Sequence, residues 1–205
     1  MHTYKITEQG APLKSAEKAL ILIHGRGAPP EDILSLTEFF NIDNTYVAAP
    51  EATHYTWYPY SFLAPAQENQ PWLNSAISNL ETLLSNIEKH IPKEKIYIMG
   101  FSQGACLTAE VTTRNAAKYG GIAVFTGGLI GEQIDHSNYK GNFDGTKVYI
   151  SNGDHDPHIP LDRTEMTENI MKEMGANVLM EIFPGRSHTI NMKEIERVKE
   201  LFDLG

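Results

Sequence analysis

Gly100-Phe101-Ser102-Gln103-Gly104 places a serine between two glycines, directly behind the apolar run Lys95-Ile96-Tyr97-Ile98-Met99 and ahead of Ala105-Cys106-Leu107-Thr108-Ala109. The pattern reads as strand, sharp turn and helix with the hydroxyl at the apex. So tight a turn leaves room only for hydrogen-sized side chains two residues either side, which explains Gly100 and Gly104. A serine held there could attack a carbonyl, provided a neighbouring base takes its proton. It could also serve only as a helix N-cap. The residues that follow the other apolar runs decide between the two.

Three such segments carry chemistry. His24-Gly25-Arg26-Gly27-Ala28 follows the first buried run, Ser151-Asn152-Gly153-Asp154-His155-Asp156-Pro157 a later one, and Pro184-Gly185-Arg186-Ser187-His188 the last. In chain order they offer a glycine-rich loop, the serine, an acid and a histidine, the order Ser, Asp, His. His188 is the candidate base. Of eight histidines, it alone lies beyond both serine and acid, after the last strand and before a helix. His24 precedes the serine and reads as a buried structural histidine, and His90 as a helix-end cation. His2, His54 and His136 lie in polar or terminal segments. Asp156 is the candidate orienting acid, with Asp154 its rival. Pro157 favours Asp156, because its fixed φ and missing donor suit a loop leaving a strand end. Asp154 then reads as a turn residue. Asp154, His155, Asp156 and His158 are also potential metal ligands, but no second cluster completes a site, so no metal is expected. Cys106 reads as a buried core residue rather than a second nucleophile.

The elements that must hold these residues follow from periodicity. Buried strands are predicted at 19–23, 45–49, 96–99, 121–125, 147–150 and 177–183, and helices at 31–40, 73–90, 102–115, 161–174 and 191–202. Thr3 to Thr7 alternates weakly and suggests an antiparallel edge strand. Short, doubly buried strands alternating with helices imply an α/β fold, with a mostly parallel central sheet flanked by helices on both faces. In such sheets the chemistry lies at the carboxyl ends of the strands, where all four segments fall.

Composition sets the frame. The 205 residues, 41% of them hydrophobic, suffice for one domain, 1–205, with a substantial core. Neither repeats nor a linker-like shift divides them. A net charge of −9 disfavours nucleic acid and anionic membrane surfaces as partners. The single cysteine precludes an internal disulfide and fits a reducing compartment. No apolar run approaches the roughly 20 residues of a membrane span, and Met1-His2-Thr3-Tyr4-Lys5 does not open a signal peptide. A cytoplasmic protein is expected, and oligomeric state leaves no mark on the sequence.

These residues resemble the α/β-hydrolase fold, and within it the phospholipase/carboxylesterase family, which includes acyl-protein thioesterases and small bacterial carboxylesterases. The resemblance covers nearly the whole chain. It rests on His24-Gly25-Arg26-Gly27, Gly100-Phe101-Ser102-Gln103-Gly104-Ala105, Gly153-Asp154-His155-Asp156-Pro157-His158-Ile159-Pro160 and Gly185-Arg186-Ser187-His188. The family often has a second glycine where Ala105 stands, a small apolar residue where Arg26 stands, and a Gly-His-Ser-like ending where this chain has Gly185-Arg186-Ser187-His188. The resemblance implies a Ser102–His188–Asp156 triad, which also favours Asp156 over Asp154. It further implies that the backbone N–H of Arg26 joins that of Gln103 as an oxyanion donor. The Arg26 side chain itself reads as a solvated surface charge.

The implied reaction is hydrolysis of a small-molecule carboxylic ester, with thioesters as an extension, through an acyl-enzyme and without a cofactor. No long insertion suggests a large lid. Trp57-Tyr58-Pro59-Tyr60-Ser61-Phe62-Leu63 is aromatic-rich and without periodicity, so Trp57 or Tyr58 is expected to line the substrate pocket; the same segment could instead pack a long loop onto the body. A lysophospholipase or peptidase shares this scaffold, as do dienelactone hydrolases, whose cysteine nucleophile is missing here. A catalytically silent hydrolase-fold binding protein would lack a triad member.

Overall fold

The computed structural model describes residues 1–205. Seven strands form one sheet: β1 (Ile6–Gly10), β2 (Lys18–Ile23), β3 (Thr45–Pro50), β4 (Ile96–Phe101), β5 (Gly121–Phe125), β6 (Lys147–Gly153) and β7 (Asn177–Phe183). Their order across the sheet is β1-β3-β2-β4-β5-β6-β7. Every neighbouring pair is parallel except β1 with β3. The helices are α1 (Pro30–Leu34), α2 (Trp72–Glu88), α3 (Gln103–Arg114), α4 (Leu161–Glu173) and α5 (Met192–Phe202).

Strand alternation divides the interior in two. Ile21 and Ile23 of β2 point into the larger core, which holds buried faces of α2, α3 and α4. Leu20 and Leu22 point to the opposite core, under α1 and α5. Each of the apolar positions that predicted α2 (Leu73, Ile77, Leu80, Leu83, Leu84 and Ile87) is buried. None of the helices is long and apolar enough to cross a membrane.

Three boundaries differ from expectation by about three residues or more. The edge strand is Ile6–Gly10, not 3–7, because pairing with β3 runs from Ile6 opposite Pro50 to Gly10 opposite Tyr46. The residues before it are held by His2, whose backbone N–H donates to Ser75 Oγ at 2.9 Å. The helix predicted over 31–40 is five residues of α-helix followed by a 3-10 turn, Ser35–Phe39. Ser35 and Thr37 donate back to the carbonyls of Asp32 and Leu34, at 2.6 and 2.7 Å, and such bonds compete with the helical ladder. β6 runs three residues past its predicted end, to Gly153, carrying the chain to the acid loop.

Candidate active site

Ser102 sits between β4 and α3 at φ 54° and ψ −117°, backbone that a non-glycine residue adopts only under constraint. The constraint is packing. A Cβ on Gly100 would lie 2.4 Å from the Gly104 carbonyl oxygen, and one on Gly104 would lie 2.1 Å from that of Ile23. The Ser102 backbone N–H donates to the Phe125 carbonyl at 3.1 Å, fixing the turn to the end of β5. The hydroxyl makes no helix-capping bond, so the N-cap role is not taken. It lies 2.8 Å from His188 Nε2.

His188 Nδ1 is 2.8 Å from Asp156 Oδ2. The remaining oxygen, Oδ1, accepts from the backbone N–H groups of His158 and Ile159 at 2.9 and 3.0 Å. Burial pushes the Asp156 carboxyl up, but the bonds from His188, His158 and Ile159 outweigh it and hold the group below its ordinary value. An ionised Asp156 selects the imidazole tautomer with hydrogen on Nδ1, leaving Nε2 to accept the serine proton. Asp154 makes no bond to His188. It accepts from the Gly185 N–H at 2.8 Å and pins the loop after β7.

The serine opens onto a cavity of about 570 Å³, walled by Tyr58, Pro59, Tyr60, Phe62, Phe101 and Ile159. Phe101 and His158 also pack on the His188 ring, at centroid distances of 5.1 and 4.9 Å. Arg26 and Gln103 line the same cavity, and the backbone N–H of neither donates to a protein acceptor. Cys106 reaches the cavity too. Burial pushes its thiol up to about 12, so it stays protonated and unreactive. No cluster of three or more His, Cys, Asp or Glu side chains is arranged to hold a metal ion.

One expected contact is corrected. Trp57 is 0% exposed and is not part of the cavity wall. Its indole stacks on His24 at 4.9 Å and donates to the His24 carbonyl at 2.9 Å. It packs the loop onto the body, while Tyr58 faces the cavity. His24 is the buried structural histidine expected: Nδ1 lies 2.8 Å from the Gly25 carbonyl and Nε2 accepts from the Ala52 N–H at 3.1 Å. Sequence reasoning missed two roles. The Gln103 amide bonds to the backbone of Trp57 and Tyr58. Arg26, read as a solvated charge, donates to the carbonyls of Pro59 and Tyr60. These partners are backbone groups and leave no signal in side-chain type.

A mostly parallel sheet with a serine–histidine–aspartate relay beyond its carboxyl edge defines a serine hydrolase of the α/β-hydrolase fold. The chain belongs to the phospholipase/carboxylesterase family, whose model matches residues 5–204. It is 48% identical to a phospholipase/carboxylesterase from Dyadobacter fermentans whose crystal structure superposes with a TM-score of 0.96, covering 98% of this chain and 97% of that one. It is 25% identical over 217 residues to acyl-protein thioesterase 1 of Debaryomyces hansenii, covering 94% of this chain and 93% of that protein. With acyl-protein thioesterase 1 of Neurospora crassa it shares 26% identity over 125 residues, spanning 58% of this chain but half of that protein.

Proposed function

We propose that residues 1–205 act as one domain, a cytoplasmic carboxylesterase that hydrolyses small to medium neutral esters through an acyl-enzyme on Ser102. The observation that carries this is the continuous relay from Ser102 Oγ to His188 to Asp156, with both bonds at 2.8 Å. Ser102 Oγ attacks the ester carbonyl as His188 Nε2 takes its proton. The oxyanion is met by the backbone N–H groups of Arg26 and Gln103, both free of protein acceptors. The tetrahedral intermediate collapses, and His188 returns the proton to the leaving alcohol. Water, activated by the same imidazole, then releases the acid and restores Ser102. Each proton has a carrier within the relay, so no cofactor is needed.

The open, partly aromatic cavity suits an acyl or aryl group of modest size. Two relatives are named acyl-protein thioesterases, which supports thioesters as a second substrate class on the same serine. The test is labelling by a fluorophosphonate together with hydrolysis of short p-nitrophenyl esters. Wild type is expected to do both and Ser102→Ala neither. A wild-type protein that is unlabelled and inert toward esters and thioesters alike sinks the proposal.

A further inference from the structure

We propose that the side chains of Arg26 and Gln103 are positioning residues that lock the oxyanion-binding backbone to the aromatic wall of the substrate cavity. This rests on the hydrolase mechanism above. The two residues assigned the oxyanion N–H groups are the same two whose side chains hold the loop. Gln103 Oε1 accepts from the Trp57 N–H at 2.9 Å, and its Nε2 donates to the Tyr58 carbonyl at 2.9 Å. Arg26 Nη1 donates to the Pro59 carbonyl at 2.9 Å and Nη2 to the Tyr60 carbonyl at 2.7 Å. Four successive residues of this loop, Trp57 to Tyr60, therefore each give one backbone group to an oxyanion residue. The Gly27 N–H adds a fifth tie, to the Tyr55 carbonyl at 2.7 Å.

The wall needs these ties. Residues 56–60 belong to neither helix nor strand, so their backbone groups have no ladder to join. The loop enters through His54 and Tyr55, both at φ 55°, a left-handed conformation that non-glycine residues hold only when their surroundings enforce it. Arg26 suits the task through shape. Its planar fork places two donors at once, whereas an ammonium is a single point. It takes part in no ion pair with an acidic side chain, so its charged head is committed to the loop carbonyls. The Gln103 amide is the inner latch, since both its bonds are buried, and the exposed Arg26 is the outer one.

This arrangement couples substrate binding to catalysis. A group pressed against Tyr58, Tyr60 or Phe62 bears on the same bonds that orient the two N–H donors. Releasing the outer latch leaves the apolar wall in place for binding but loosens a donor used in the transition state. Such a change lowers kcat while leaving KM nearly constant.

The experiment compares wild type, Arg26→Met, Arg26→Lys and Gln103→Glu on p-nitrophenyl acetate and butyrate, with phenylboronic acid as a tetrahedral probe of Ser102. Arg26→Met is expected to lose kcat by about 10- to 100-fold, up to the cost of a misplaced oxyanion donor and below that of a lost one, with KM changed by less than about threefold. Boronate affinity should fall in parallel with kcat. Arg26→Lys should recover part of the loss. Gln103→Glu keeps the acceptor for Trp57 but turns an oxygen toward the Tyr58 carbonyl, and should fall at least as far. Thermal melting of each variant separates lost fold from lost coupling. The proposal is overturned if folded Arg26→Met keeps kcat within about twofold of wild type, if its loss is confined to KM, or if boronate affinity is unchanged. A wild type inactive on both esters would instead overturn the hydrolase mechanism itself.

Discussion

Arg186 and Glu194 form an ion pair almost wholly out of solvent, their side chains 6% and 0% exposed. Arg186 belongs to the loop that carries His188, and Glu194 to α5. The Arg186 guanidinium also donates to Thr126 Oγ1, next to Phe125, whose carbonyl holds the Ser102 N–H. Glu194 in turn accepts from the Asn191 N–H at 2.8 Å and closes the capping box of α5. One cation therefore joins the histidine loop, the last helix and the strand end beside the nucleophile. This accounts for an arginine in the Gly185–His188 stretch, where the family pattern differs.

Arg186→Met leaves Glu194 buried without a counter-charge, a situation that typically costs about 3–5 kcal/mol. Urea unfolding should show that loss, and kcat should fall as the His188 loop loosens. Arg186→Met combined with Glu194→Gln removes the orphaned charge while keeping an amide at the cap. It should regain a substantial part of the stability. A double variant no more stable than Arg186→Met would show that lost packing, and not the unpaired charge, sets the penalty.

Asp156→Asn keeps shape but loses the charge that selects the Nδ1 tautomer of His188. By analogy with other serine triads, kcat should fall by about 10⁴ with the fold intact. The same substitution changes acid stability. The native Asp156 carboxyl sits below its ordinary value, so its contribution is complete above the unfolded value near about pH 4 and is lost as pH falls through the lower native value. Acid titration of folding should therefore be shallower in Asp156→Asn than in wild type below about pH 4.

The triad was legible because each member combined a distinctive residue type with a place after a buried strand. The flanking glycines marked Ser102 and chain order marked His188, while Asp156 was separated from its rival Asp154 by Pro157 and by the resemblance to the family. Contacts between residues distant in sequence were not legible. Trp57 meets His24 across 33 positions, and nothing in the aromatic segment distinguishes the ring that packs inward from Tyr58, which faces the cavity. The Arg26 and Gln103 side chains act on backbone groups, which every residue possesses. The β1 register escaped for a related reason: Thr3 to Gly10 is largely polar, and the strand is set by its pairing with β3 rather than by a periodic apolar face. Where hydrophobic period was strong, as in α2, the sequence located the element within two residues at either end.

Two buried histidines should make stability fall toward acid. Burial lowers the values of both His24 and His2. In His2, Nδ1 accepts from the Thr53 N–H at 3.1 Å while Nε2 lies 2.8 Å from the Trp57 carbonyl. Each ring is thus held neutral, and protonation forces a donor against a backbone N–H. For a depressed native value, stability is complete above the unfolded value of about 6.5 and declines as pH falls toward the native one. The melting temperature of wild type should drop between about pH 7 and about pH 5. His24→Gln should melt lower at neutral pH but show a flatter decline. An unchanged slope in that variant would remove His24 from the account.

Gly104 should be the least replaceable residue of the nucleophile turn. A Cβ there would stand 2.1 Å from the Ile23 carbonyl oxygen and 2.5 Å from that of His24, both rigid backbone at the end of β2. Relief would require α3 to move off the sheet, taking Ser102 and the Gln103 N–H with it. Gly27 provides the contrast. A Cβ at Gly27 meets nothing within 4 Å, and only its φ of 78° opposes substitution. Gly27→Ala should therefore cost about 1 kcal/mol, the usual strain of left-handed backbone, and retain measurable esterase activity. Gly104→Ala should cost more, about 3 kcal/mol, the upper end for an overpacked core, and should abolish fluorophosphonate labelling even in the fraction that folds. Equal stability of the two alanine variants in urea would mean that the turn has more room than its backbone contacts allow.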